Sequence, residues 1–359
     1  MVRLPSVSNS SSEGVVAERD ERVLVVRLSS LGDVLLAAPA VRALRARFPS
    51  SGIDFLVASE YAAAAALIPC VDRVLTFDRR GGVSALLRAR NRLTRCYTVL
   101  VDLQNSARSA FLRATTFPTI WVKAKRYRLR RWLRVCFKWN LYREVRPVPV
   151  RYLDSLGALG ARDDGRGLEL RVPADAREWA GAFLTSGVFV TDSVVALCPG
   201  ARHTTKRWPA ERWTELCRKL SAAGSQVLVV GSSSEDSLLA QVAGATIATV
   251  VCGRSIHQVA ALFERSALVI SNDSGLMHLA TGVGRPVVGI FGPTVEEFGF
   301  YPFRANSEVI SHDLPCRPCS AMGGERCPAK HFRCMLETTV DDVLARANAL
   351  LVRDRLQSS

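Results

Sequence analysis

The first ordered stretch of the chain reads Arg22-Val-Leu-Val-Val-Arg-Leu28, followed by Ser29-Ser-Leu-Gly-Asp33. Short runs rich in β-branched residues are typical of strands that are buried on both faces of a sheet. Apolar residues at near-helical spacing then predict a helix from Val34 to Phe48. A strand that passes through a polar turn into a helix is the unit from which parallel α/β sheets are built.

The same alternation continues through the first half of the chain and restarts after residue 192. Further strands are predicted at 53–57, 74–77 and 98–103, and again at 194–198, 226–231, 247–251, 267–271 and 286–291. Two such halves predict an α/β protein with two Rossmann-like domains, at 21–175 and 190–345, that face each other across a cleft. Ligands of such sheets bind at the carboxyl ends of the strands, which is where functional residues are expected.

The composition is that of a globular protein long enough for two domains. Of the 359 residues, 48% are hydrophobic and 23% are charged, so a substantial core is expected. No segment approaches the roughly 20 apolar residues that a membrane-spanning helix needs. The N-terminal residues are polar and Ser-rich and lack the apolar segment of a secretory signal. We therefore expect residues 1–20 to form a disordered lead-in and the protein to be cytoplasmic.

The net charge of +15 is concentrated in residues 123–146. This segment holds ten Lys or Arg residues, a single acid, Glu144, and five aromatic residues. A solvated helix face explains the charges alone. A basic segment that also carries aromatic residues more often meets an anionic partner, such as a phosphate-rich lipid surface, an acidic glycan or nucleic acid.

Polar residues in the second half follow predicted strands in a pattern that suits phosphates. After the strand at 194–198, the Thr205 hydroxyl can donate to phosphate oxygens and Lys206 supplies a positive charge. After the strand at 267–271, a helix is predicted to begin near Ser274 and Gly275. Backbone N–H groups exposed at a helix start bind anions. These segments predict a site for the diphosphate of an activated sugar donor.

Three carboxylate or imidazole side chains complete the predicted donor side. Asp273 is expected to accept hydrogen bonds from sugar hydroxyls or to cap the helix, since a carboxylate repels phosphate. His278 lies one helical turn after Ser274 on the same face, and both a structural and a functional role are open. Glu235, in the turn after the strand at 226–231, can accept hydrogen bonds from a ribose.

Asp33, just after the first strand, is the candidate general base. Inverting glycosyl transfer needs a base that removes the proton of the attacking hydroxyl and positive or N–H groups that stabilise the departing diphosphate. Lys206 and the helix start can meet the second requirement without a divalent metal. An acid in the first turn of a helix is the structural alternative for Asp33. The expected acceptor contacts are Ser30, Gly32, Lys123 and Arg126.

Taken together, these motifs resemble those of glycosyltransferase family 9, the bacterial heptosyltransferases of lipopolysaccharide core synthesis. The resemblance runs from about Arg22 to Leu344. It rests on four segments, which read Arg27-Leu-Ser-Ser-Leu-Gly-Asp33, Pro199-Gly-Ala201 with Lys206-Arg-Trp-Pro209, Asn272-Asp-Ser-Gly275 with His278, and Gly292-Pro-Thr294.

The resemblance implies a GT-B fold and inverting, metal-independent transfer of a heptose from ADP-L-glycero-D-manno-heptose to a lipopolysaccharide inner-core acceptor. It assigns the base to Asp33, the donor phosphates to Lys206, the ribose to Glu235 and the adenine to the region of Arg254–Ser255–Ile256. The implied acceptor is an acidic, lipid-linked glycan, which gives the basic segment at 123–146 a partner. Contact with the inner membrane surface is then expected, and a nucleic-acid partner is not.

Four cysteines crowd into a loop at 316–334. They stand as Cys316-x2-Cys319-x7-Cys327-x6-Cys334. Thiolate tetrads suit zinc or iron in tetrahedral geometry, but common zinc ribbons use two CxxC pairs and only the first pair here is CxxC. A structural metal and reduced thiols packed in a loop both stay open, and no cofactor is expected for the chemistry.

Two rival functions remain. The first is a family-9-like transferase that uses another sugar nucleotide, or another glycan or a protein as acceptor, because the sequence does not distinguish heptose from hexose. The second is a non-catalytic protein that binds anionic lipid or nucleic acid through residues 123–146. The presence of Asp33, Lys206 and the 273–278 segment together favours an enzyme.

Overall fold

Two parallel β-sheets flanked by helices make up the described part of the chain. The structure is a computed structural model, and it describes residues 22–94, 96–187, 189, 193–244 and 246–358. The predicted disordered lead-in at 1–20 lies outside these residues. Among the described helices, none combines the length and the apolar character that crossing a bilayer requires.

The first sheet has five strands, and its chain order reverses in the middle. The strands are β1 (Arg22–Val26), β2 (Gly52–Ala58), β3 (Arg73–Phe77), β4 (Val99–Asp102) and β5 (Ile120–Lys123). They lie in the order β3-β2-β1-β4-β5. The accompanying helices are α1 (Leu31–Leu35), α2 (Ala38–Arg47), α3 (Ala62–Ala66), α4 (Gly82–Leu93), α5 (Ala107–Thr115), α6 (Arg128–Cys136) and α7 (Val148–Leu156).

The second sheet has six strands arranged in the same way. They are β6 (Val194–Cys198), β7 (Gln226–Gly231), β8 (Thr249–Cys252), β9 (Leu268–Asn272), β10 (Val287–Ile290) and β11 (Ser307–Ile310), in the order β11-β10-β9-β6-β7-β8. The accompanying helices are α8 (Ala174–Ser186), α9 (Ala210–Ala222), α10 (Asp236–Ala243), α11 (Ile256–Glu264), α12 (Gly275–Gly282), α13 (Arg333–Leu336) and α14 (Val340–Ser358).

Strand pairing in both sheets is parallel, and each sheet has one point where the chain order switches direction. The switch lies between β1 and β4 in the first sheet and between β6 and β9 in the second. Helices pack on each sheet. The central strands β6 and β9 are fully buried, and β1 is buried from Val23 onward. This is the predicted pair of Rossmann-like domains. Crevices at switch points are where open α/β sheets bind ligands.

One helix was predicted from Val34 to Phe48, but the structure has two helices in this region, and the first of them starts before Val34. The chain forms α1 from Leu31 and a separate α2 from Ala38. Pro39 lies in the first turn of α2, where its ring and missing N–H prevent the two helices from joining. Because α1 begins early, Asp33 lies within its first turn.

The two domains contact each other where α1 meets α12. A Cβ atom on Gly32 would lie 2.8 Å from Cδ2 of His278, and one on Gly275 would lie 2.6 Å from Cδ2 of Leu31. Glycine is therefore required on both sides for the helices to approach. Farther away, Arg177 of α8 pairs with Glu264 of α11 at 2.7 Å. This pair places α8 with the second sheet, and α14 extends that domain beyond residue 345.

A buried carboxylate ties together three strands of the first domain. Asp54 on β2 is fully buried and accepts hydrogen bonds from Arg22 at 2.7 Å, Arg73 at 2.7 Å and Tyr97 at 2.6 Å. Burial alone raises the pKa of Asp54, but the hydrogen bonds from Arg73, Tyr97 and Arg22 hold it below its ordinary value. The charged carboxylate thus stabilises the end of the sheet opposite the cleft.

Replacing Asp54 with Ala is expected to lower the free energy of unfolding by about 3 kcal/mol, because it leaves a buried hydroxyl and two guanidinium groups without their acceptor. Urea denaturation measures the change. Glu60→Ala is the control, since it removes the carboxylate of an exposed pair with Arg79 and is expected to cost at most about 1 kcal/mol. Equal losses in the two variants contradict the structural role of Asp54.

Candidate active site

The turn after β1 places Asp33 at the cleft with three hydrogen-bond donors. Its Oδ2 accepts from the Ser30 backbone N at 3.2 Å and from the Ser30 hydroxyl at 2.9 Å. Its Oδ1 lies 2.8 Å from Nη2 of Arg27. These contacts hold the carboxylate in one orientation.

Arg27 keeps the Asp33 carboxylate ionised. Burial raises the pKa of Asp33, but the charge of Arg27 and the Ser30 hydrogen bonds outweigh it and leave the pKa below its ordinary value. Arg27 itself is buried, donates to the Leu103 carbonyl at 2.9 Å and lies 5.8 Å from the centre of the Tyr152 ring. The group beside Asp33 is therefore a fixed positive charge rather than a mobile one.

Lys206 and Asp273 meet on the opposite side of the cleft. Nζ of Lys206 lies 2.6 Å from Oδ2 of Asp273, and the Thr294 hydroxyl donates to the same oxygen at 2.8 Å. Lys206 follows β6 and Asp273 follows β9, so the pair sits at the switch point of the second sheet. Of the two predicted roles for Asp273, helix capping is not observed, since the N-cap of α12 is Ser274.

The start of α12 provides backbone N–H groups with no side-chain cap. Ser274 is the N-cap residue and makes no capping hydrogen bond, and its hydroxyl lies 3.2 Å from that of Ser271. Gly275 is the first helical residue. Free N–H groups at such a position attract an anion, and the helix dipole adds to the attraction.

His278 is a neutral imidazole beside this helix start. Burial lowers its pKa to about 4, although the charges of Asp273 and Asp33 oppose that shift. Its Nδ1 is buried and makes no hydrogen bond to any group in the described ranges. A neutral ring with a free nitrogen can accept or donate one hydrogen bond to a bound molecule.

Three cavities adjoin one another along the cleft. The outer cavity has a volume of about 450 Å³ and is lined by both domains, including Tyr61, Glu235, Arg254 and Ile256. The central cavity, of about 440 Å³, is lined by residues that include Asp33, Lys206, Asp273 and His278. The two cavities share Ser30, Gly32, Arg202, Ser274 and Gly275.

The third, which we call the arginine cavity, lies on the first domain's side of Asp33. Its volume is about 110 Å³, and it shares Arg27, Asp33, Arg126, Phe300 and Met322 with the central cavity. Six cations line it against the single acid Asp33: Arg27, Lys125, Arg126, Arg128, Arg131 and Arg151. Burial and the neighbouring charges of Arg128 and Arg27 lower the pKa of Arg126. This crowding of positive charge favours an anionic ligand.

Two residues predicted for the site lie elsewhere. The Thr205 hydroxyl donates to the Gly324 carbonyl at 3.0 Å and accepts from the Gly324 N–H at 2.8 Å, and Thr205 lines neither the outer nor the central cavity. It anchors the 316–334 loop instead of facing a ligand. Lys123 lines a neighbouring cavity with Asp154 and Ser155, and this cavity shares Lys125, Tyr127 and Arg151 with the arginine cavity. Successive side chains of a strand point to opposite faces, so Lys123 points outward because its neighbours Val122 and Ala124 are buried.

The four cysteines of the 316–334 loop are free thiols. Burial, followed by the charge of nearby cysteines, raises the pKa of Cys319, and burial raises that of Cys334 to about 11. Within the described ranges, no group of three or more His, Cys, Asp or Glu residues is arranged to hold a metal ion. The predicted metal at Cys316, Cys319, Cys327 and Cys334 therefore has no support in this structure.

Several cavity residues were missed by the sequence analysis. Arg27 carries a recognisable signal, since a charged residue within a buried apolar strand needs a partner. Gln104 follows β4, and its Oε1 accepts from the backbone N–H groups of Leu28 and Ser29, so it shapes the turn that carries Asp33. Met322 lines the central and arginine cavities from the cysteine loop, and nothing in the sequence pointed to it.

Comparison with known proteins identifies similar chains. The model of "Glycosyltransferase family 9 (heptosyltransferase)" matches residues 86–329. Lipopolysaccharide heptosyltransferase 2 of Escherichia coli (strain K12) is 26% identical over 360 residues, covering 93% of this chain and 99% of that protein.

Solved structures show the same fold. The glycosyl transferase family 9 protein from Veillonella parvula superposes with a TM-score of 0.78 at 22% identity, over 93% of this chain and 98% of that one. The E. coli ADP-heptose lps heptosyltransferase II superposes with a TM-score of 0.70 at 21% identity, over 93% and 99% of the two chains. The two-domain GT-B arrangement is therefore confirmed.

Proposed function

The chain belongs to glycosyltransferase family 9, and on that premise we propose that it transfers a heptose from ADP-L-glycero-D-manno-heptose to an inner-core acceptor of lipopolysaccharide. The observation that carries the proposal is the series of three adjoining cavities. The outer cavity is large enough for a nucleotide and adjoins the central cavity, which holds Asp33 and Lys206. The central cavity in turn adjoins the arginine cavity. The donor nucleotide fits the outer cavity, the reacting groups meet in the central cavity, and an acidic acceptor fits the arginine cavity.

The donor nucleotide occupies the outer cavity in this proposal. Glu235 accepts hydrogen bonds from the ribose, and the segment from Arg254 to Ile256 contacts the adenine; Glu235, Arg254 and Ile256 line the cavity wall. The diphosphate lies at the junction with the central cavity. There the start of α12 at Ser274 and Gly275 offers N–H groups, and Lys206 adds a positive charge.

The sugar is transferred in one displacement. The acceptor oxygen bonds to the anomeric carbon while the bond from that carbon to the diphosphate oxygen breaks. The hydroxyl proton passes to the Asp33 carboxylate, and ADP departs with the electron pair of the broken bond. Lys206 and the α12 N–H groups stabilise the negative charge that grows on the leaving oxygen. Attack from the side opposite the diphosphate inverts the anomeric configuration.

The acceptor is an acidic, lipid-linked glycan in this proposal. The arginine cavity supports it, because six cations face one carboxylate there and Arg126 lines both that cavity and the central one. Arg–carboxylate and Arg–phosphate hydrogen bonds are strong and directional. We place the reaction on the cytoplasmic side of the inner membrane, with the protein in contact with that surface.

A transfer assay with a panel of sugar nucleotides tests this function. The wild-type protein is incubated with ADP-heptose, ADP-glucose or UDP-glucose and a deacylated inner-core acceptor, with and without chelator. The expected result is transfer from ADP-heptose alone, unchanged by chelator. Transfer only from a hexose nucleotide contradicts the donor assignment. Loss of activity with chelator contradicts a chemistry that depends on Lys206 and backbone N–H groups.

The Arg27–Asp33 contact predicts a pH effect. Arg27→Gln removes the positive charge that lowers the pKa of Asp33, so that pKa rises. A base works only when ionised, and activity is lost as the pH falls through its pKa. The acid limb of kcat/KM is therefore expected to move to higher pH. Arg79→Gln, which alters a cation of the central cavity paired with Glu60, is the control and leaves the limb in place.

A pH profile of Arg27→Gln whose acid limb coincides with that of the wild type contradicts the assignment of the base to Asp33. The thermal unfolding temperature of each variant separates a loss of structure from a change in titration.

A further inference from the structure

Helix α6 is amphipathic, but its apolar face is turned away from the rest of the protein. Its sequence, Arg-Leu-Arg-Arg-Trp-Leu-Arg-Val-Cys, has the apolar spacing of an amphipathic helix, with Leu129 and Trp132 on one face. An ordinary surface helix turns that face to the protein. In α6 two arginines face the protein instead: Arg131 lies 5.0 Å from the centre of the Phe298 ring, and Arg134 donates to Glu297 at 3.3 Å.

The apolar face of α6 is consequently exposed. Leu129 is 67% exposed and Trp132 is 53% exposed, and no residue of the helix is buried. Phe137 and Trp139, just beyond the helix, are 50% and 59% exposed. The Trp132 and Phe137 rings lie 5.4 Å apart and the Phe137 and Trp139 rings 5.3 Å apart. Trp132, Phe137 and Trp139 form one aromatic patch, and Leu129 is exposed on the same face of α6 as Trp132. An exposed patch of this kind marks an interaction surface.

The sequence on both sides of the aromatic patch is basic. Lys125, Arg126, Arg128 and Arg143 are exposed, whereas the only acid between residues 123 and 146, Glu144, is paired with Arg146. Trp residues prefer the region between lipid headgroups and acyl chains, and flanking cations attract anionic headgroups. We propose that the aromatic patch inserts into the surface of an anionic phospholipid bilayer, with the surrounding cations on its headgroups.

The position of α6 connects this surface to the catalytic cleft. Arg128 and Arg131 of the same helix line the arginine cavity, next to Asp33. A bilayer that covers Leu129 and Trp132 therefore lies beside the entrance to that cavity. An acceptor anchored in the bilayer can then reach Asp33 without leaving the membrane, a consequence that rests on the proposed function, although the docking itself does not.

Vesicle binding by the full-length protein tests the proposal. Sedimentation with vesicles of phosphatidylglycerol and phosphatidylethanolamine is compared with sedimentation with phosphatidylcholine alone. The wild type is expected to bind the anionic vesicles, with a shift of Trp fluorescence to shorter wavelength. Replacing Leu129 and Trp132 together with Gln is expected to weaken this binding about tenfold or more, and Trp139→Gln to weaken it in the same direction. Ile247→Gln, at an 85% exposed apolar residue of the second domain, is the matched control.

The experiment distinguishes a failure of the proposed membrane docking from a failure of the proposed catalytic function. The double variant is expected to keep the wild-type rate on a deacylated, soluble acceptor. Unchanged binding of the double variant and of Trp139→Gln to anionic vesicles overturns the proposal, as does equal binding of the wild type to neutral vesicles. Self-association of the wild type that the double variant abolishes also overturns it, because a second copy then covers the patch. Vesicle binding without sugar transfer contradicts the proposed function and leaves the docking surface standing.

Discussion

Asp33→Asn is expected to lower kcat for sugar transfer by about 10²–10⁴-fold, the range that general base catalysis contributes. The amide has the size of the carboxylate, and its oxygen can still accept from Arg27, which lies 2.8 Å from Asp33. It cannot accept the proton of the attacking hydroxyl. The affinity for ADP, measured by calorimetric titration, is expected to stay the same, because the outer cavity does not include Asp33.

A second arginine-paired carboxylate provides the control for Asp33. Asp164 pairs with Arg42 on the surface of the protein, away from the three cavities, so Asp164→Asn is expected to retain the wild-type kcat. An Asp33→Asn variant that transfers sugar at the wild-type rate contradicts the assignment of the base. Loss of ADP binding in the same variant shows instead that Asp33 supports the contact between α1 and α12.

Lys206→Met is expected to lower kcat by about 10²–10³-fold, as the removal of one preorganised charge stabiliser does in other enzymes. Methionine keeps the length of the aliphatic chain but removes the charge that the departing diphosphate needs. The change also leaves Asp273, now held by Thr294 alone, as an unbalanced negative charge beside the diphosphate. ADP affinity is therefore expected to fall as well, which distinguishes this variant from Asp33→Asn.

The double variant Lys206→Met with Asp273→Asn tests that explanation. If repulsion from the unpaired carboxylate weakens ADP binding, the second substitution restores part of the affinity but not kcat. Lys219→Met, which alters a surface lysine paired with Asp341, is the control for a general loss of positive charge. Wild-type kcat in Lys206→Met contradicts the role of this lysine in stabilising the leaving group.

The central strands could be predicted from sequence because they are buried on both faces. β1, β6 and β9 contain apolar runs of three to five residues, and each lies within one or two residues of its predicted position. Of the four edge strands, β3 and β8 were predicted and β5 and β11 were missed. Three of the four residues of β5 are exposed and three of the four in β11 are only partly buried. An edge strand lacks the two-sided burial that produces such a run.

Site residues were predictable where they follow a central strand directly. Asp33, Lys206, Asp273 and His278 line one cavity, because parallel strands bring their carboxyl ends to the same edge of a sheet. Thr205 was misplaced, since the direction of a side chain within a loop depends on long-range packing. The contact between Thr205 and Gly324 joins residues 119 positions apart, and no local pattern encodes it.

The orientation of α6 could not be predicted from the sequence either. Its spacing shows an amphipathic helix, but which face meets the protein depends on distant partners. Glu297 and Phe298 bind the arginine face from the second domain. The sequence therefore predicted a basic, aromatic segment with an anionic partner, and the structure adds that its aromatic side is the exposed one.

The anomeric configuration of the product tests the central claim most directly. The claim is that one displacement, with Asp33 on one domain as the base and the sugar nucleotide held by the other, accomplishes the transfer. NMR of the glycan made by the wild-type protein from ADP-heptose measures the one-bond coupling between the anomeric carbon and its proton. The expected coupling is that of a configuration opposite to the donor's. A product with the donor's own configuration contradicts the account, because it requires two displacements or a nucleophile that this cleft does not place at the anomeric carbon.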